Sequence, residues 1–209
     1  MSQNRGPLHF KPGTKYDYCN TNYVILGAVI DRVSPLGVGG EFESLIVGPS
    51  GLAGNAFFKR ARIAAARIAH GYDLENGKEV DVFEGARRLG VPTSVWGVVW
   101  TDGGVAATAS GVAQFTDALY GGKILQPDTL ATMIQPGPDH SYGLGTYRMQ
   151  FDGHEWQGHD GYFNGFTSMT MYDFSRKLTI TVLTNYTDNG DPATTIWNRI
   201  VETYDQDTP

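Results

Sequence analysis

Two strands joined by a short turn can be read from Gly165-Phe166-Thr167-Ser168-Met169-Thr170-Met171-Tyr172, the turn Asp173 to Lys177, and Leu178-Thr179-Ile180-Thr181-Val182-Leu183-Thr184-Asn185. Leu178, Ile180 and Val182 alternate with Thr179, Thr181 and Leu183. That period of two puts successive side chains on opposite faces, as a half-buried strand requires. The turn is short enough for an antiparallel hairpin. Upstream, Ser141 to Phe151 and Gly153 to Gly158 read as two more strands; downstream, Ala193 to Tyr204 reads as a helix with Ile196, Ile200, Val201 and Tyr204 inward. The expected architecture is α+β, an antiparallel sheet with a terminal helix packed on it.

Three further helices lie N-terminal to the sheet. Over Asn20 to Val33, Tyr23, Leu26, Ile30 and Val33 fall at spacings of three and four and predict one buried face, with Asn20 and Thr21 as caps. Thr108 to Leu119 repeats the pattern with Val112, Phe115 and Leu119, and Gly121-Gly122 supplies the stop. Pro127 to Ile134 is shorter and opens on a proline suited to a first helical turn. Residues 34–99 read as an irregular or helical insertion within a single domain spanning 1–209. Within it, Val38 to Ala56 is rich in glycine and serine, so irregular structure is expected there, and the alanines of Ala61 to Ala69 favour helix.

Composition bounds the function. The 209 residues carry 16 basic and 22 acidic side chains, a net charge of −6. That balance argues against nucleic acid as a partner, since phosphate recognition calls for a basic surface. The apolar run Tyr23 to Ile30 is far shorter than the roughly 20 residues of a membrane span, so no span is expected. Met1 to Pro7 are polar and show no signal peptide as written. A single cysteine, Cys19, excludes an intrachain disulfide and a cysteine-based zinc cage.

Two short segments carry chemistry. Tyr18-Cys19-Asn20 places a phenol and an amide just before the first helix; a tyrosine serves as a base only when a nearby cation lowers its pKa from about 10. Asn20 can orient an amide substrate or simply cap the helix. In His159-Asp160-Gly161-Tyr162, the histidine can donate to a substrate or relay protons. Gly161 would let a substrate backbone approach, and the following amide could face an oxyanion. His154 and His159 lie five apart, on opposite faces of a continuous strand, so no metal site is expected, and no cofactor.

These segments fall in the order of one known family. Phe10-Lys11-Pro12-Gly13-Thr14, Tyr16, Tyr18-Cys19-Asn20-Thr21-Asn22-Tyr23 and Leu26-Gly27 resemble the stretch F-x-P-G-T-x-[YF]-x-Y-S-N-x-N-Y-x-x-L-G of the serine β-lactamase-related family. That family includes class C β-lactamases, penicillin-binding DD-peptidases and esterases. Gly103-Gly104 with Thr108-Ala109 and Phe115 resembles its G-G-x-x-S-T helix entry. Tyr142-Gly143-Leu144-Gly145, Gly158-His159-Asp160-Gly161, Gly165-Phe166 and Leu183-Thr184-Asn185 resemble its Y-G-L-G, G-H-x-G, G-[FY] and L-T-N motifs. The resemblance runs from about Phe10 to Val201.

The resemblance implies a β-lactamase/DD-peptidase-like fold and acyl transfer from an amide or ester. Tyr18 takes the place of the general base, and Asn20, His159 and Gly161 take substrate-binding places; the Tyr162 amide would be an oxyanion donor. Cys19 replaces the usual serine, and Asp160 stands where a small Thr or Gly is usual. The family's S-x-x-K nucleophile motif is missing: no serine in this sequence is followed by lysine three positions later. The chain is therefore expected to lack turnover as written and to leave a sheet edge and core uncovered where N-terminal strands would pack. The expected partners are a small-molecule or peptide-like acyl substrate and a complementing N-terminal segment. The alternatives are a non-catalytic binding module, or one piece of a split or truncated hydrolase.

Overall fold

A computed structural model describes residues 8–58, 68–84, 99–137, 141–187 and 190–207. The chain begins with α1 (Thr21–Val33), α2 (Gly37–Glu41), a π-helical turn (Phe42–Val47) and α3 (Gly48–Ser50). Short strands β1 (Ala56–Phe58), β2 (Tyr72–Glu75), β3 (Lys78–Asp81) and β4 (Val105–Ala107) precede α4 (Ala109–Tyr120) and α5 (Pro127–Ile134). Then come β5 (Tyr147–Phe151), β6 (His154–Phe163), β7 (Phe166–Asp173), β8 (Leu178–Thr184), β9 (Tyr186–Thr187) and α6 (Pro192–Asp207).

The alternating threonines and aliphatics of β8 form one edge of a four-stranded antiparallel sheet ordered β5-β6-β7-β8. Its register sets Met169 against Val182 and Met171 against Ile180, on the face that α6 covers. Thr170 and Thr181 share a 2.7 Å hydrogen bond on the other face, which α4 covers. Two smaller sheets pair β1 with β4, and β3-β2-β9. The β2–β3 hairpin turns on Asn76-Gly77, both at positive φ, as the favoured two-residue hairpin demands.

Of the four residues of α6 expected inward, Val201 is buried and the other three are not. Ala193, Trp197 and Val201 are fully buried, whereas Ile196, Ile200 and Tyr204 stay exposed. Both triplets repeat every fourth residue, but the Trp197 indole buries more area and finds a partner for its N–H in the Ile180 carbonyl at 3.1 Å. Trp156 meets it edge-to-face with ring centroids 4.8 Å apart. Asp191 caps the helix, its carboxylate accepting the Thr194 amide at 3.1 Å.

Helix α1 also departs from expectation. Gly27 is its one buried residue, while Leu26 and Val33 are 54% and 73% exposed. The apolar stripe is present, and no described element covers it. The glycine-rich run after it is helical rather than irregular. Val47, Leu52 and Ala56 form a small core with Phe42, Ala107 and Phe115, and that burial overrides weak helix propensity. Ala61 to Ala69 falls largely outside the described residues.

The strands differ in extent from the sequence reading. Ser141 to Thr146 is not strand: Gly143 donates to the Thr146 carbonyl and Gly145 turns through φ 75°, so β5 starts only at Tyr147. Conversely, β6 continues through His159 and Gly161 to Phe163, because β7 pairs along that length. β5 pairs only with residues 154–158, so among the described residues the last five of β6 have no strand on their outer side.

The β7–β8 turn is fixed by Asp173, a buried carboxylate. It accepts the Ser175 amide at 2.7 Å, the Ser175 hydroxyl at 2.6 Å and the Arg176 Nε at 2.6 Å, with His154 Nδ1 at 3.3 Å. Burial opposes its ionisation, but the hydrogen bonds from Ser175 and Arg176 outweigh it and hold its pKa below the ordinary value. A depressed carboxyl contributes stability above its unfolded pKa of about 3.9 and loses it as pH falls through the folded value. Asp173→Asn is therefore expected to lower unfolding free energy by about 1.5–3 kcal/mol at pH 7. In urea titrations the gap from wild type should shrink as pH drops below about 4.

Candidate active site

Tyr18 lies on the loop entering α1, and its position depends on how α1 is held. The Thr101 hydroxyl donates to the Tyr23 carbonyl at 2.7 Å, tying the 100–104 loop to the helix. Any Cβ at residue 27 would sit 2.4 Å from Thr101 Oγ1, so only glycine lets this loop close on α1. The same loop brings in Asp102, whose carboxylate accepts the Trp100 amide at 2.8 Å.

Opposite stands the open edge of β6. The Tyr18 and His159 rings have centroids 6.2 Å apart, and Tyr142 completes a triangle with them, 5.9 Å from Tyr18 and 5.6 Å from His159. Tyr16 and Tyr147 extend this aromatic wall, with centroids 5.4 and 6.3 Å from Tyr142. The Tyr142 hydroxyl meets His159 Nε2 at 2.6 Å, while His159 Nδ1 hydrogen-bonds the Asp160 carbonyl. A carbonyl can only accept, so Nδ1 carries a proton, and in the neutral ring Nε2 accepts from Tyr142.

Strand parity settles where the Tyr162 amide points. The Gly158 carbonyl accepts the Thr146 hydroxyl on the β5 side at 3.1 Å, and the Asp160 carbonyl meets the His159 ring at the same edge. Every second residue of a strand directs its peptide groups the same way, so the Tyr162 N–H faces the open edge too. Gly161 sits between them, and a Cβ there would fall 2.5 Å from Ser168 Oγ. Its bareness thus serves packing against β7.

Asn20 stands at the helix start, but its side chain makes no capping hydrogen bond. The capping expectation fails because residue 20 already has helical φ and ψ, which turns its side chain away from the free amides. Cys19 is an exposed free thiol. His154 belongs to the Asp173 turn and not to the cleft. Among the described residues, no group of three or more His, Cys, Asp or Glu side chains is placed to hold a metal ion. Nor is any single helix among them long and apolar enough to cross a membrane.

The electrostatics of the cleft are one-signed. Partial burial raises the Tyr18 pKa, and the Asp160 and Asp102 carboxylates raise it further. Burial likewise raises Tyr142 and Tyr147, with neighbouring tyrosines adding to the first and Asp160 to the second. The phenols therefore keep their protons at neutral pH, and a base role for Tyr18 needs a cation brought to it. Sequence reading missed Tyr142 as a partner of His159, although it opens the Y-G-L-G motif. Asp102 carried no sequence signal.

The arrangement has relatives. The sequence model of the beta-lactamase family matches residues 4–205. This chain belongs to the beta-lactamase family. It is 23% identical over 184 residues to a D-aminopeptidase of Cereibacter sphaeroides (strain ATCC 17029), covering 85% of this chain and 33% of that one. A D-aminopeptidase of Gluconobacter oxydans is 25% identical over 190 residues, with 86% and 33% covered. Among solved structures, D-amino acid amidase from Ochrobactrum anthropi complexed with D-phenylalanine superposes with a TM-score of 0.78 at 21% identity, over 95% of this chain and 61% of that one. A penicillin-binding protein from Bacillus halodurans gives 0.75 at 22%, over 95% and 59%. The α+β fold is that of the beta-lactamase and penicillin-binding proteins. This beta-lactamase-family chain spans about a third of the length of those curated relatives.

Proposed function

We propose that the cleft between Tyr18 and the β6 edge is the acyl-transfer site of a serine hydrolase acting on amides of D-amino acids. In this reading the nucleophilic serine and its lysine arrive on a segment outside this sequence, and the chain alone does not turn over substrate. The observation that carries it is the convergence of Tyr18, His159 and the outward Tyr162 amide on one open strand edge. The names of the relatives supply the substrate class.

The roles are those that the family resemblance implies. The lysine ammonium lowers the Tyr18 pKa, and Tyr18 takes the proton of the serine hydroxyl as its oxygen attacks the amide carbonyl. The Tyr162 N–H stabilises the oxyanion. The proton passes to the leaving amine as the C–N bond breaks, and water then releases the acid from the serine ester. Asn20 orients the substrate, and His159 acts through the Tyr142 hydroxyl that its Nε2 holds. The exposed stripe of α1 and the outer face of α6 favour a complementing segment over a self-sufficient binding module, because both leave large apolar side chains exposed among the described residues.

The test mixes this chain with a polypeptide carrying the family's S-x-x-K helix and leading strands, then adds a D-phenylalanine ester. Intact-mass spectrometry should show an acyl adduct on the serine of the added polypeptide only when both are present. An adduct on this chain by itself, or none on either in the mixture, would overturn the reading.

A further inference from the structure

We propose that Asp160 makes this cleft selective for acyl donors bearing a free ammonium group and turns away those bearing a carboxylate; the inference rests on the acyl-transfer reading above. Asp160 stands on β6 between His159 and Gly161, with its side chain 44% exposed. Its Oδ1 lies 3.9 Å from His159 Nδ1, so the carboxylate lies beside the ring without a hydrogen bond to it.

Three observations converge on a cationic ligand. First, the histidine that could greet an anion is already engaged: Nδ1 by the Asp160 carbonyl and Nε2 by the Tyr142 hydroxyl. A substrate carboxylate would have to displace one of them while facing the Asp160 charge. Second, Asp160 and Asp102 are the charged groups that act on Tyr18, and both repel an anion. Third, tyrosine rings flank His159, Tyr18 from the loop before α1 and Tyr147 from β5, with centroids 6.2 and 5.6 Å from its ring. Aromatic faces attract ammonium groups through their quadrupole and offer nothing to a carboxylate. A substrate lying along the β6 edge with its carbonyl at the Tyr162 amide passes Asp160 two residues away on the same strand. The α-ammonium of an amino-acid amide matches that chemistry.

The test is calorimetric titration of the full chain with three probes: D-phenylalaninamide, N-acetyl-D-phenylalaninamide and N-acetyl-D-phenylalanine. They carry an ammonium, no charge and a carboxylate. The expected order of affinity is ammonium, then neutral, then carboxylate, with about tenfold or more between first and last at low salt. Asp160→Asn should collapse that order, and Asp160→Glu should retain it, which separates lost charge from lost fold. An unchanged order in Asp160→Asn, or a carboxylate probe that binds as tightly as the ammonium probe, would overturn the assignment and leave the cleft standing. Failure of all three probes to bind saturably would remove the acyl cleft itself, and the preference with it.

Discussion

Tyr18→Phe should lower kcat of the complemented hydrolase by about 10²–10⁴, the range that a positioned general base contributes. The substitution removes one oxygen and keeps the ring, whose contacts with Tyr142 and His159 are made by its faces and edges. Substrate binding should therefore hold, and the loss should appear in kcat while KM changes little. Partial burial and two carboxylates hold the phenol protonated, so the base function depends on an incoming ammonium. Steady-state kinetics on the mixed polypeptides measure this directly. An unchanged kcat would take the base role away from Tyr18.

Trp197→Ala should cost about 3–5 kcal/mol, the range for deleting a large buried aromatic side chain. Its indole is fully buried, meets Trp156 edge-to-face, and gives its N–H to the Ile180 carbonyl, which would be left without that donor. Against a total of about 5–15 kcal/mol for an ordinary domain, the variant should be largely unfolded by modest urea. Ile200→Ala, one turn away on the exposed side, should change stability by less than about 1 kcal/mol. Urea denaturation of the pair reports which face of α6 holds the sheet.

That helix shows where sequence reading stops. Ile196, Ile200 and Tyr204 form as regular an apolar row as Ala193, Trp197 and Val201. Periodicity says a face is buried but not which of two, and the choice falls to the ring whose N–H finds a carbonyl in β8. The sheet was more legible because threonine and aliphatic residues alternate from Leu178 to Val182 in β8. The stripe of α1 was legible as apolar, but its burial depends on a neighbour that no described residue provides. In the site, motif order brought Tyr18 and His159 into one cleft. The partners that tune them, Tyr142 and Asp102, are set by long-range closures such as Thr101 on Tyr23, 78 residues apart. Such closures leave no local pattern.

The unpaired outer side of β6 has a consequence for solubility. Among the described residues, five residues of strand edge lack a partner strand and form a template on which another copy of the chain could add a strand and begin a fibre. Proteins guard such edges with charge, and Asp160 is the second residue of this one. The carboxylate that sorts substrates is thus also a gatekeeper. Evolution of this cleft toward anionic ligands would have to find the edge another guard.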